Sequence, residues 1–246
     1  MFIVEVCANS VRDCLISQTE GAGRIELVGA TNIGGLTPTT TTLDMALERG
    51  VTIPIICMVR PRGGGFCYTE LEKEQMFREA RELLKHGASG IAFGFLTEDR
   101  RIDWRATEKM IELCDSFGAE SVFHRAYDVA KNPEHNIQRL VGLGCTRILT
   151  SGLGETVEQG ASMLRYLQEK YGRHIEILAG AGVNSNNIKS IVEQTGVTQI
   201  HGTFKTWGID PTTTGERVSY IYSNEGHYEE TSPEVLNRVV ELLQEQ

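Results

Sequence analysis

The sequence is poor in several features, and each shortage excludes a class of protein. Its longest apolar run, Ile53 to Val59, is interrupted by Pro54. A membrane helix needs roughly 20 apolar residues, so no span is expected. Positive charge is scarce: 24 Lys plus Arg against 33 Asp plus Glu give a formal net charge of -9. That balance repels polyanions, so neither nucleic acid nor an anionic membrane is an expected partner. There is no C-x-x-C pair, no H-x-x-x-H and no Cys/His cluster, which argues against a structural zinc site. The opening Met1 to Cys7 lacks a basic stretch and carries Glu5, so it reads as a first strand and not a secretion signal. The six cysteines (Cys7, Cys14, Cys57, Cys67, Cys114 and Cys145) are then expected to be reduced thiols in a cytoplasmic protein.

What is present is a repeated punctuation. Helical stretches end in Gly, and an apolar strand residue follows four positions later: Gly21 to Ile25, Gly87 to Ile91, Gly118 to Val122, Gly144 to Ile148 and Gly196 to Ile200. Gly50 before Ile53 and Gly172 before Ile175 repeat the device with an offset of three. Glycine stops a helix in the left-handed conformation and a short loop feeds the next strand. Strands are predicted to begin near residues 3, 24, 53, 90, 120, 146, 175 and 198. Between them Met76, Phe77, Ala80, Leu83 and Leu84 share one helical face, and Val157, Leu164, Leu167 and Tyr171 another. Thr37-Pro38 is expected to open the second helix and Asn132-Pro133 the fifth. Eight βα units in 246 residues predict a single-domain (β/α)8 TIM barrel over residues 1–246, with a doubly wound open sheet as the alternative. Residues 206–231 form a long polar excursion after the eighth strand, read as a lid or an intersubunit arm with an idle surface excursion as the alternative, and residues 233–245 a final helix.

Barrel active sites are built at the C-terminal strand ends, and here those ends are chemically unusual. Alternation places Glu5 and Cys7 on one face of the first strand and Arg24, Glu26 and Val28 on one face of the second. If the apolar faces meet helices, Glu5 and Glu26 point inward, where Arg60, Arg62 and His124 are the expected partners. Such a set is either a satisfied ion-pair plug or a polar pocket with acid–base capacity. Gly180, Gly182 and Asn184 after the seventh strand, with Gly202 and Lys205 after the eighth, suit a phosphate group at a helix N-terminus capped by Asn184. Cys7 is the best-placed thiol for a soft metal and Cys67 the next; Cys14 and Cys114 read as packing.

Taken in order, Glu5-Val6-Cys7, Arg24-Ile25-Glu26-Leu27, Gly34-Gly35-Leu36-Thr37-Pro38, Arg60-Pro61-Arg62-Gly63-Gly64 and Phe123-His124-Arg125-Ala126-Tyr127-Asp128 resemble the CutC family. Leu149-Thr150-Ser151-Gly152, Ala179-Gly180-Ala181-Gly182-Val183 and Ile200-His201-Gly202 continue the likeness, which runs from about residue 3 to 205. The resemblance implies a cytoplasmic TIM barrel, usually a homo-oligomer, tied to copper homeostasis and binding copper as Cu(I). Two positions depart from it. Val28 stands where some members carry a second Cys implicated in copper binding, and Gly65 where the family favours an acid. Two functions follow. In the first, copper is held by Cys7, with Cys67 or a neighbouring His. In the second, an enzyme acts on a small anionic metabolite, phosphorylated ones included. Arg60, Arg62, Arg125, Ser151 and His201 would then join the glycine loops in binding it, with Glu5, Glu26, His124 and Asp128 moving protons.

Overall fold

Six of the seven helix-ending glycines do take a left-handed φ: Gly21, Gly50, Gly87, Gly118, Gly144 and Gly196, between +66° and +93°. Gly172 is the exception, with φ -60° at the end of its helix. The computed structural model describes residues 2–245, so Met1 and Gln246, the ends of the expected domain, lie outside the described residues.

The strands that follow these stops are β1 (Ile3–Ala8), β2 (Arg24–Leu27), β3 (Ile55–Met58), β4 (Gly90–Phe93), β5 (Glu120–Phe123), β6 (Arg147–Thr150), β7 (Glu176–Gly180) and β8 (Gln199–Gly202). All neighbours are parallel, and β8 returns to β1 through the pairs Ile3↔Gln199 and Glu5↔His201, closing the predicted barrel. The alternative open sheet is thereby set aside.

Helices α1 (Val11–Thr19), α2 (Thr40–Glu48), α3 (Glu70–Lys85), α4 (Trp104–Asp115), α5 (Ala126–Val129), α6 (Pro133–Gly142), α7 (Ala161–Tyr171), α8 (Ile188–Thr195) and α9 (Pro233–Gln244) surround it. Their starts follow local chemistry. Thr69 and Glu72 exchange hydrogen bonds in a capping box at α3, and Ser232 with Pro233 opens α9. Thr37-Pro38 does not open α2, which starts at Thr40 after the Thr39 cap. Thr37 is instead tied to the end of β3, its amide bonding the Arg60 carbonyl and its hydroxyl accepting the Arg60 amide, each at 3.0 Å. Asn132-Pro133 opens the sixth helix and not the fifth, because the short α5 intervenes.

Two apolar regions result. The larger lies between strands and helices and includes Val6, Ile25, Leu27, Phe93 and Phe123; each such side chain contributes about 1.5–3 kcal/mol by leaving water. A smaller cluster, Ile56, Ala92, Val122, Leu149 and Leu178, fills part of the lumen. The excursion after β8 is more regular than its composition suggests. Strand β9 (Lys205–Gly208) pairs antiparallel with β10 (Tyr228–Thr231), and the alternating Val218, Tyr220 and Tyr222 lie in the exposed loop between them. The Thr231 amide donates to Asp13 on α1 at 2.8 Å, anchoring the hairpin to the barrel wall.

Candidate functional site

The site begins with strand register. Pairing sets Glu5 opposite Arg24 on β2 and opposite His201 on β8, and Cys7 opposite Glu26. Side chains at one level of a parallel sheet and on one face are neighbours, so Glu5 stands between Arg24 and His201. Arg24 Nε bonds the Glu5 carboxylate, and His201 Nδ1 lies 2.9 Å from its other oxygen. On the far side His201 Nε2 is 3.7 Å from Glu26. The carboxylates' partners are therefore Arg24 and His201, a correction to the expected Arg60, Arg62 and His124. The network continues downward: Arg24 Nη2 donates to Gln199 at 2.7 Å, and Arg147, 1% exposed, reaches Gln199, Glu120 and Glu176.

Burial and charge drive the two carboxyls apart. Burial pushes Glu5 up, but the His201 hydrogen bond and the charges of Arg24 and His201 outweigh it and hold Glu5 below the usual carboxylate range. Burial lifts Glu26 above that range; the His201 charge opposes this and the Glu5 charge adds to it. For His201 burial disfavours the cation, yet the Glu26 charge and the Glu5 hydrogen bond raise its pKa. The Cys7 thiol is pushed well up by burial and then by the Glu26 charge, so it is a protonated thiol near neutral pH and not an activated nucleophile.

These groups open into a cavity of about 340 Å³ at the barrel mouth, whose walls include Cys7, Glu26, Arg60, Phe66, His124 and His201. Arg125, Gly182 and Gly202 also reach it. Gly180 lies behind it and makes room: a Cβ there would come within 2.8 Å of Leu149 and 3.2 Å of His201. Asp128 and Ser151 bond one another at 2.9 Å beside Arg125 and are occupied structurally. Arg62 turns outward to Glu72 and the Cys67 carbonyl. Lys205 pairs with Glu229 on the hairpin. Asn184 does not cap a helix: α8 begins at Ile188, and the Asn184 side chain accepts from the Asn186 amide.

Among the described residues one constellation could hold a metal ion. Cys7, Glu26 and His201 each offer a ligand atom, all within 4.8 Å of one another. Glu5 on Nδ1 fixes the imidazole with Nε2 toward the site, as a carboxylate commonly does behind a metal-bound histidine. Cys67 is exposed and outside this set, and Val28 is a buried apolar side chain. One sulfur, one imidazole and one carboxylate suit a borderline ion, and sulfur with imidazole alone suits Cu(I). Sequence reading placed the three residues at strand ends but did not join them, since register decides which ends meet.

A closed parallel barrel of eight strands, with carboxylates, histidines and a buried arginine around a small mouth, belongs to the (β/α)8 barrels. Phosphoribosylanthranilate isomerase of Pyrococcus furiosus shares the fold, with a TM-score of 0.60 at 16% identity over the whole of both chains. The CutC family profile matches residues 2–206, and the chain belongs to the CutC family. The family protein CutC of Treponema denticola is 38% identical over 198 residues, 80% of this chain and 79% of that one. Its counterpart in Bacteroides thetaiotaomicron is 39% identical over 197 residues, covering 80% and 78%. The crystal structure of CutC from Streptococcus agalactiae, a provisional copper homeostasis protein, superposes with a TM-score of 0.77 at 32% identity, over 82% of this chain and 99% of that one. No described helix is long and apolar enough to cross a membrane.

Proposed function

We propose that the chain is a one-domain cytoplasmic enzyme that moves protons on a small anionic metabolite bound in the barrel mouth. The observation that carries this reading is His201 set between two carboxylates of opposite tendency, at a cavity in the barrel mouth with Arg60 in its wall. Paired groups whose surroundings drive their proton affinities apart are how a fold divides acid from base work. Glu5 stays ionised and orients His201, while Glu26 holds an exchangeable proton at the cavity and takes one from, or returns one to, the bound molecule. A thermal-shift screen of anionic metabolites tests this, each hit being followed by NMR for solvent deuterium incorporation. At least one compound is expected to raise the Tm and exchange a proton, with exchange lost in Glu26→Gln. A broad screen with no shift overturns the reading.

A second reading is copper binding, in which Cu(I) is cargo. The clustering of Cys7, Glu26 and His201 supports it, as does the copper homeostasis role attached to the Streptococcus agalactiae relative. Cys7 must lose its proton to bind, so affinity rises with pH, up to about tenfold per unit. Anaerobic Cu(I) titration should give one tight equivalent, lost in Cys7→Ala; unchanged affinity in that variant overturns the site. Six unpaired cysteines agree with a reducing compartment. A homo-oligomer is proposed through the hairpin loop, where Ile209 and Tyr220 are exposed, and light scattering tests it.

A further inference from the structure

Arg60 and His124 stand apart from the network just described. Arg60 is buried, and its guanidinium is held by main-chain oxygens: Nη1 donates to Gly34 at 2.8 Å and Gly35 at 3.1 Å, and Nη2 to Gly64 at 2.5 Å. Among the described residues no carboxylate forms an ion pair with it, its Nε has no acceptor within hydrogen-bond geometry, and the neighbouring buried Tyr68 hydroxyl is likewise unpartnered. A buried cation without a counter-charge is costly unless something anionic completes the site.

His124 has the matching defect. The Ala126 amide donates to its Nδ1 at 3.2 Å, so Nδ1 carries the lone pair and the ring proton sits on Nε2. That Nε2–H is buried and has no partner among the described residues. Burial, with the Arg60 charge adding to it, brings the His124 pKa down to about 3, so the ring is a neutral donor and not a base. The two groups share one support. The Phe66 ring lies 4.8 Å from the His124 ring, and the Arg60 guanidinium carbon sits 5.2 Å from the Phe66 centroid. Both side chains line the mouth cavity, and Glu26, His201 and Cys7 line it too. Gly94 is what allows the imidazole to lie there, since a Cβ at that position would be 2.5 Å from its Cε1.

We propose that Arg60 and His124 form an oxyanion pocket that is closed over its two donors in this structure, neither nitrogen having exposed surface, and that a side-chain shift at the mouth lets one negatively charged oxygen of a small carboxylate or phosphate compound accept from Arg60 Nε and His124 Nε2–H together. A neutral imidazole and a fixed guanidinium are suited to polarising a carbonyl or holding an enolate oxygen. This deepens the enzyme reading, on which it rests, and changes two roles. His124 becomes a hydrogen-bond donor and not a proton acceptor, and Arg60 becomes the anion-holding arginine in preference to Arg62 and Arg125, which already pair with Glu72 and Asp128.

The test is calorimetric titration of the EDTA-treated full chain with oxalate and, separately, inorganic phosphate. At least one should bind, and the stronger identifies the headgroup class. His124→Phe and Arg60→Met should each weaken it tenfold or more, and Arg62→Met and Arg125→Met less than twofold. Because Arg60 also holds loop carbonyls, the folded wild type supplies a second readout: the His124 Nε2 proton should shift in NMR when the anion is added. Binding that survives His124→Phe with no such shift overturns the pocket while leaving a small-molecule site elsewhere in the mouth. Failure of both probes to bind also overturns the pocket, and the deuterium-exchange screen then judges the enzyme reading separately.

Discussion

On the side of the lumen lined by β1, β2 and β8, polar groups follow one another from floor to mouth through Gln199, Arg24, Glu5, His201, Glu26 and Cys7. Across from them Ile56, Ala92, Val122, Leu149 and Leu178 fill the same depth with hydrocarbon. Both sides are largely buried, with Cys7 and His201 at the mouth the more exposed, yet they hold together for different reasons. Hydrocarbon gains by leaving water, whereas a buried charge is stable only while each partner is present. The apolar side thus tolerates imperfection gradually, and the polar side does not. The polar side presents Cys7, Glu26 and His201 to the mouth, where their ligand atoms and titratable protons lie together.

The largest expected difference comes from Arg24→Met, which leaves Glu5 buried with His201 as its remaining close partner. A loss of about 3–5 kcal/mol is expected in urea unfolding. A loss under about 1 kcal/mol would mean that water reaches Glu5 and that the polar side is not a closed network. On the apolar side Leu178→Ala should cost about 3 kcal/mol through lost transfer energy and a cavity. If it proves as costly as Arg24→Met and disturbs the His201 resonances, the two sides are coupled and the contrast fails.

Acid sharpens the comparison next. A histidine with a lowered folded pKa stabilises the fold above its unfolded value of 6.5, and that stability drains as pH falls toward about 3. Glu26, with its raised pKa, acts in the opposite sense over part of this range. The informative quantity is therefore the difference between wild type and His124→Gln. It should shrink by about 1.4 kcal/mol per pH unit between pH 6.5 and 4.5. A constant difference would show that His124 is solvated. The smallest effect belongs to the rim: Lys205→Ala breaks a half-exposed pair and should cost less than about 1 kcal/mol in the same urea assay.

Much of the barrel was legible because it is written locally. A glycine that stops a helix needs only its own φ, and alternation along β1 and β2 needs only neighbouring residues, so Glu5, Cys7, Arg24 and Glu26 could be turned inward from sequence. Which inward groups meet depends on register between strands as distant as β1 and β8, and no local pattern encodes that. Arg24 was thus on the correct face without being seen as the partner of Glu5, and His201 was assigned to an anion and not to two carboxylates. The neutrality of His124 was hidden for the same reason, since it follows from burial and from an arginine 64 positions away in sequence, 124 minus 60. The hairpin was missed because its strands, Lys205–Gly208 and Tyr228–Thr231, are short and polar, while the alternating stretch at Val218 to Tyr222 stays in the loop.

The hairpin also has an optical consequence. The chain has two tryptophans, and they stand in unlike surroundings. Trp104 sits at the start of α4 with the Arg139 guanidinium 4.4 Å from its ring centre, in the outer helical layer. Trp207 is on β9, with the Lys205 ammonium 4.9 Å from its ring and Tyr222 nearby. Lys205 pairs with Glu229, and Glu229 accepts from Thr31, which borders the mouth. A chain with Trp104→Phe would carry a single indole lamp wired to the rim, whose emission colour and quenching register an arriving ligand without any added dye.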